Sequence, residues 1–221
     1  MNLGAFTMKP QLLSKSEVEE AAALARQLSE QRRSVHQEGR YAALRWFQVD
    51  LDRSLPLCRK VLGELGVDNP ELLVFYYLEP GATIHPHRDL TGAGLNNRIR
   101  FHVPIITNDR VDFRVSKQKV VMQPGDLWCL DTSYLHSVAN EGAETRVHLV
   151  IECDITPALR QRLPGGLRPA IHNVAFASVM AAKFAQSVLW NSVKDPAYFR
   201  AQMGMIRRFI GWRLFKTGRA R

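Results

Sequence analysis

Apolar and polar residues follow a period of two through the middle of the chain and a period near 3.6 at both ends. Leu72–Leu78 is a continuous apolar run rich in β-formers, the pattern of a strand buried on both faces. Arg98–Ile106 alternates strictly: Ile99, Phe101, Val103 and Ile105 fall on one side, Arg98, Arg100 and His102 on the other. Arg146–Cys153 does the same, with Val147, Leu149 and Ile151 opposite Arg146, His148 and Val150. Shorter strands are predicted at Val111–Val115, Lys119–Met122 and Leu127–Leu130, and a looser one at Tyr41–Val49. Turns are expected at Glu79-Pro-Gly81, Asn108-Asp109 and Pro124-Gly125, the last of type II, and a loop at Ala139–Glu144. Many short strands without alternating helices predict a mainly β core, a sandwich or barrel.

The helical period flanks this core. Ser16 and Glu19 have capping-box spacing, and the strong helix formers Ala21–Leu28 follow. That helix should begin near Ser14 or Ser16 and stop between Arg32 and Gly39. A second helix is predicted over Leu55–Leu65, closed by Gly66, and Asp68-Asn-Pro70 is a turn. Residues 1–12 carry no clear pattern. After Asp154, Pro157, Pro164-Gly-Gly166 and Pro169 mark a linker-like stretch. Residues 174–191 read as an apolar helix broken only by Lys183 and Gln186. Asp195-Pro196 opens another, in which Phe199, Met203, Ile206, Ile210 and Leu214 recur at helical spacing. The chain therefore divides into residues 1–154, a β domain with N-terminal helices packed outside one sheet, and residues 155–221, a basic helical extension.

Charge sharpens that division. The net charge is +9, yet residues 155–221 hold 12 Lys and Arg against one acid, Asp195, while residues 1–154 are near neutral. Three readings of the basic tail stand side by side. It is an amphipathic helix pair covering a sheet, or an interfacial helix on an anionic membrane surface with Trp190, Phe209, Trp212 and Phe215 as anchors, or a nucleic-acid contact. The last ranks lowest, because no nucleic-acid motif accompanies it. Cys58, Cys129 and Cys153 have no paired spacing, so neither a zinc cluster nor a disulfide framework is expected. With no signal pattern and no apolar run of spanning length, the expected setting is cytoplasmic, with the inner face of a membrane as an alternative.

Candidate chemistry concentrates in Gly81–Asp89. His87 and Asp89 stand two residues apart, and i and i+2 of an extended strand share a face, so both can present ligands to one metal ion. His136 is the best third ligand. His85 is a rival to Asp89, but two histidines and one carboxylate with open positions are the set of a non-haem Fe(II) oxygenase. The plain alternative is a hydrogen-bonded structural pair. Ten residues past His136, Arg146 lies on the inward side of its strand, where a cation is costly without an anion. A dicarboxylate would supply that anion through a bidentate pair; the bland reading is an ion pair with a buried acid. His148, Trp46 and Trp128 read as core residues.

Together, Pro86-His-Arg-Asp89, Arg98-Ile-Arg-Phe-His-Val-Pro104, Gly125-Asp-Leu-Trp-Cys-Leu-Asp131 and the His136-to-Arg146 interval resemble the Fe(II)- and 2-oxoglutarate-dependent dioxygenases. They are most similar to the aspartyl/asparaginyl β-hydroxylase-like branch, which includes bacterial proline cis-4-hydroxylases. The resemblance implies a double-stranded β-helix, a jelly roll of cupin type, with Fe(II), 2-oxoglutarate as cosubstrate and O2. It implies Fe(II) on His87, Asp89 and His136, and the distal carboxylate of 2-oxoglutarate on Arg146. His102 would meet the metal-proximal carboxylate, and Tyr76 stands where the vertebrate enzyme has a cosubstrate-binding serine. Arg100, with Arg98 beside it, would meet an acidic group on the substrate. That vertebrate enzyme has glycine where this chain has Asp89, which favours a small-molecule, amino-acid-derived substrate over a peptidyl one. Residues 92–97 are a candidate lid. The alternatives are the same chemistry on a lipid-linked or envelope substrate, and a non-catalytic cupin-like protein that binds a metal or anion.

Overall fold

The period-two segments pair into two antiparallel sheets. The computed structural model describes residues 4–35, 45–89 and 98–163, together with scattered positions from 175 to 207. In chain order the strands are β1 (Ala5–Lys9), β2 (Arg33–Ser34), β3 (Trp46–Asp50), β4 (Leu72–Leu78), β5 (Thr83–His87), β6 (Arg98–Ile106), β7 (Val111–Val115), β8 (Gln118–Lys119), β9 (Leu127–Leu130), β10 (His136–Asn140) and β11 (Arg146–Asp154). The helices are α1 (Lys15–Leu28), α2 (Pro56–Leu65) and α3 (Pro157–Arg162). The large sheet runs β1-β9-β6-β11-β4-β3-β2 and the small one β5-β10-β7-β8. This is the expected mainly β jelly roll with N-terminal helices.

Strand alternation decides what each face of the large sheet meets. Phe75, Tyr77, Phe101, Val103, Leu149 and Ile151 turn outward and are buried with Ala21 and Ala25 of α1 and Val61, Leu62 and Leu65 of α2. Tyr77 Oη donates to the Ala25 carbonyl at 2.8 Å, satisfying the one polar atom its ring brings into that core. The inner face meets the small sheet through Leu78 and Leu130 on one side and Phe113, Val115 and Val138 on the other. Arg98, Arg100, His102, Arg146 and His148, which alternate with the outward residues, belong to this inner face. All three cysteines are free and buried.

Several local expectations are corrected. The capping box is Ser14 with Glu17, not Ser16 with Glu19. The helix start is set by tertiary contact: Leu13 N–H donates to the Gly125 carbonyl at 3.1 Å, which leaves Ser14 as the first free capping position. Strand β5 ends at His87, so Asp89 lies just beyond it. The β8 ladder stops at Lys119, although Val120 and Met122 still bury between the sheets. Strands β1 and β10 form where no strand was expected. Residues 157–162, within the linker-like stretch, form α3, which buries Leu159 in the main core. Tyr41–Val49 contributes a strand only from Trp46; residues 41–44 of that reading and the candidate lid, 92–97, lie outside the described residues. Most of the two tail helices also lies outside them.

Gly125 ties helix α1 to the sheet. Its φ of 82° suits glycine, and a Cβ there would meet the Leu13 carbonyl oxygen at 2.7 Å. Gly125→Ala is expected to lower the unfolding free energy by about 1–3 kcal/mol, read from urea denaturation. An unchanged midpoint would show that α1 docks without this turn.

Candidate active site

Pairing of β5 with β10 sets His87 directly opposite His136, and their ring centroids are 4.2 Å apart. Each ring is oriented by its own strand or turn. His87 Nδ1 donates to the His85 carbonyl at 2.8 Å, and His136 Nδ1 to the Tyr134 carbonyl at 2.9 Å. A carbonyl can only accept, so Nδ1 carries a proton on both rings and Nε2 is the nitrogen turned toward the cluster. Burial, followed by the nearby His87, pulls the His136 pKa down to about 4, which keeps its ring neutral.

Asp89 completes the cluster from beyond the strand end. Its N–H donates to the Thr132 carbonyl at 2.9 Å, and Arg88 Nη1 donates to the Ser133 carbonyl at 2.8 Å. The same turn carries the chain into β10: Asp131 Oδ1 accepts from the Ser133 N–H and hydroxyl at 3.0 and 2.6 Å. One turn thus positions both Asp89 and His136. His87, Asp89 and His136 each offer a ligand atom, all within 4.8 Å of one another. Two imidazole nitrogens and a carboxylate oxygen at that separation could hold a non-haem Fe(II).

The arginines of β6 have protein carboxylates for partners. Arg100 Nη1 lies 3.0 Å from Asp89 Oδ2, while its Nη2 and Nε donate to Glu152 Oε2 at 2.7 and 3.1 Å. Arg98 lies within 3.6–3.7 Å of Glu71, Glu152 and Asp154. Glu152 was not foreseen. The signal lay in register: Glu152 on β11 faces Arg100 on β6. Asp89 Oδ1 points instead toward His87 Nε2, 3.5 Å away. The two carboxylate oxygens are therefore divided, one toward the histidines and one toward Arg100.

Arg146 is different. It is 4% exposed, and no carboxylate pairs with it among the described residues. Its Nη2 donates to His148 Nδ1 at 2.9 Å, and its Nε is buried without a hydrogen bond. Burial pulls its pKa down to about 9. His148, expected to be a satisfied core residue, is only half satisfied: its Nδ1 accepts, and its Nε2 has no partner. His102 Nδ1 lies 3.3 Å from His148 Nδ1, and burial holds both rings well below the usual histidine range. A buried guanidinium with an unused donor fits a ligand carboxylate.

A cavity of about 490 Å³ joins these groups. His87, Asp89 and His136 line it together with Arg88, Arg100, His102 and Arg146. Tyr76, Trp46, Ile84, Leu130 and Val138 form its apolar wall. Trp46, expected in the core, packs edge-on against Tyr76 with centroids 5.1 Å apart. Burial raises the Tyr76 pKa, so its hydroxyl stays protonated. Arg146 also borders a smaller cavity of about 240 Å³ with His148, Val111 and Met122.

Residues 15–155 match the family model described as aspartyl/asparaginyl beta-hydroxylase. Among solved structures, the chain is similar to the epimerase SnoN from nogalamycin biosynthesis, crystallised with Fe3+, alpha ketoglutarate and nogalamycin RO. The TM-score is 0.51 at 18% identity over 76% of this chain and 88% of that one. It is likewise similar to a prolyl-4-hydroxylase from Pseudomonas putida, with TM-score 0.51 at 14% identity over 68% and 92%. At these identities the likeness is one of fold. No curated protein matches the sequence.

Glu152 holds Arg100, and Arg100 holds the outer oxygen of Asp89. Glu152→Gln should weaken Fe(II) binding about tenfold, the usual cost of losing such an outer partner, measured by anaerobic titration calorimetry. A lowered Tm with unchanged Fe(II) affinity would leave Glu152 a structural role only.

Proposed function

The chain belongs to the aspartyl/asparaginyl β-hydroxylase family of Fe(II)- and 2-oxoglutarate-dependent oxygenases, and from that premise we propose that it hydroxylates an unactivated C–H bond of a small, anionic, amino-acid-derived substrate. The observation that carries this reading is Arg146, a buried cation at the cavity wall with no acid of its own.

His87, Asp89 and His136 hold Fe(II), and Arg146 takes the distal carboxylate of 2-oxoglutarate. His102 meets the metal-proximal carboxylate, and Tyr76 closes the cosubstrate side through its hydroxyl. Bound Fe(II) with 2-oxoglutarate and O2 supplies the oxidation, in which the cosubstrate leaves as succinate and CO2 and the substrate gains a hydroxyl. The chain's own work is placement. His136, kept neutral by burial, offers its Nε2 lone pair without a proton to displace, and His87 turns its Nε2 to the same point. Arg100 holds the outer oxygen of Asp89 and leaves its inner oxygen aimed at the histidines. Trp46, Ile84, Leu130 and Val138 exclude water from the reacting C–H bond.

The substrate's chemistry is read from the same wall. Arg88, Arg100 and Arg146 line the cavity against a single lining carboxylate, Asp89. Asp89 and Glu152 already match Arg100 in charge, so what supports a second anion is a spare donor on Arg100 beside an apolar wall. A guanidinium carries more N–H donors than Asp89 and Glu152 use on Arg100, so Arg100 can meet a substrate carboxylate while holding both. Arg98 acts behind it, through Glu152.

Succinate formation from 2-oxoglutarate tests the activity. Purified protein loaded anaerobically with Fe(II) and then given O2 should respond to free or N-acylated amino acids, and His87→Ala should not. If no substrate in the panel raises succinate and 2-oxoglutarate does not bind, the reading fails.

Arg146→Met separates the cosubstrate role from a structural one. Removing a buried, unpaired charge should leave the apo protein as stable or more stable, by about 1–4 kcal/mol. The same change should abolish the rise in Tm that 2-oxoglutarate with a non-reactive divalent metal gives the wild type, about 2.7 kcal/mol at a hundredfold excess over Kd. A retained ligand-induced shift would remove Arg146 from the cosubstrate site.

A further inference from the structure

Residues 174–221 form a compact unit of their own. Its described positions between 175 and 193 are helical, and four of their large apolar side chains stand in solvent while Val188 is buried. Val179 is 53% exposed, Leu189 68%, Trp190 66% and Val193 86%. At helical spacing these four fall within an arc of about 100°, with Ala182 and Gln186 between them and Lys183 at its edge. That face lines an apolar groove of about 1050 Å³. Contiguous exposed apolar surface of this kind marks an interaction site.

Charge identifies the occupant. From residue 174 onward the sequence holds 9 Lys and Arg and one acid. Lys183, Arg200 and Arg207 are exposed among the described residues. An apolar stripe with a cationic margin fits a surface that is apolar within and anionic at its boundary. A second copy of the chain would bring like charges together. Among the described residues no helix is long and apolar enough to cross a membrane, so the geometry is that of a helix lying in the interface plane.

We propose that residues 174–221 dock the protein onto an anionic lipid bilayer. Val179, Leu189, Trp190 and Val193 enter the boundary between headgroups and acyl chains, and the flanking Lys and Arg meet the lipid phosphates. Trp190 suits that depth, because its ring buries while its N–H stays near water. This inference stands apart from the proposed catalytic reading, since no residue of the cavity takes part.

The test uses the full chain and vesicles of phosphatidylcholine with and without phosphatidylglycerol. Co-sedimentation should be at least about tenfold stronger with the anionic lipid and should fall in high salt. Leu189→Glu with Trp190→Glu should abolish it while circular dichroism and Tm remain those of the wild type. Lys183→Ser with Arg200→Ser and Arg207→Ser should remove the preference for anionic lipid. Equal or absent binding to both vesicles overturns the proposal. So does a concentration-dependent dimer that Leu189→Glu dissolves and that ignores vesicles, which would make the stripe a contact between copies.

Discussion

Buried cations on one face of the large sheet organise the interior of this jelly roll. Strands β6 and β11 turn Arg98, Arg100 and Arg146 away from the helices and into the space between the sheets, where an unmatched charge is expensive. Arg98 and Arg100 are matched internally by Glu71, Asp89, Glu152 and Asp154. Arg146 has, among the described residues, a neutral histidine and the Phe113 ring but no carboxylate. The same chemistry thus has two outcomes a few strand positions apart. Where the chain provides the carboxylate, the arginine becomes scaffold. Where it does not, the arginine is left for a ligand, and a dicarboxylate cosubstrate is what the family uses.

The metal cluster depends on a second constraint, the antiparallel register of β5 and β10. Opposed His87 and His136 are set by main-chain pairing, and their tautomers by main-chain carbonyls. Neither orientation needs another ionisable side chain, so a change of charge elsewhere in the cavity leaves both rings in place. Asp89 is held differently. It sits past the strand end, and its side chain answers to Arg100. Its geometry is therefore coupled to charge in a way that the histidines' is not.

Much of this was legible in the sequence, for physical reasons. Strands β4, β6 and β11 carry long apolar or strictly alternating patterns, because one or both faces are buried, and their ends were read almost to the residue. Helix α2 was equally plain, since Gly66 with φ 66° closes it in the left-handed conformation that glycine adopts without strain. The triad and Arg146 were legible through residue type and order. Strand β10 was not, because His136-Ser-Val-Ala-Asn140 is short and mixed, and its strand character comes from partners on either side. The capping box moved by two residues because a contact with Gly125 decided where α1 starts. The Arg100–Glu152 pair joins residues 52 apart, and only strand register brings them together. Trp46 reads as a core residue and does pack against the smaller core cluster; beside Tyr76 it lines the cavity as well.

The divided carboxylate of Asp89 links the histidine cluster to Arg100. Arg100 Nη1 at 3.0 Å from Asp89 Oδ2 leaves Oδ1 facing the histidines. On the proposed reading, a substrate anion at Arg100 would draw on the same guanidinium that restrains Asp89. Were Arg100 free to turn, that anion would pull it away and loosen the carboxylate at the moment of binding. Glu152 prevents this by holding the opposite edge through Nε and Nη2, and Arg98 in turn holds Glu152. The alternating charges of Asp89, Arg100, Glu152 and Arg98 form a strut across β6 and β11. It fixes Arg100 between two carboxylates.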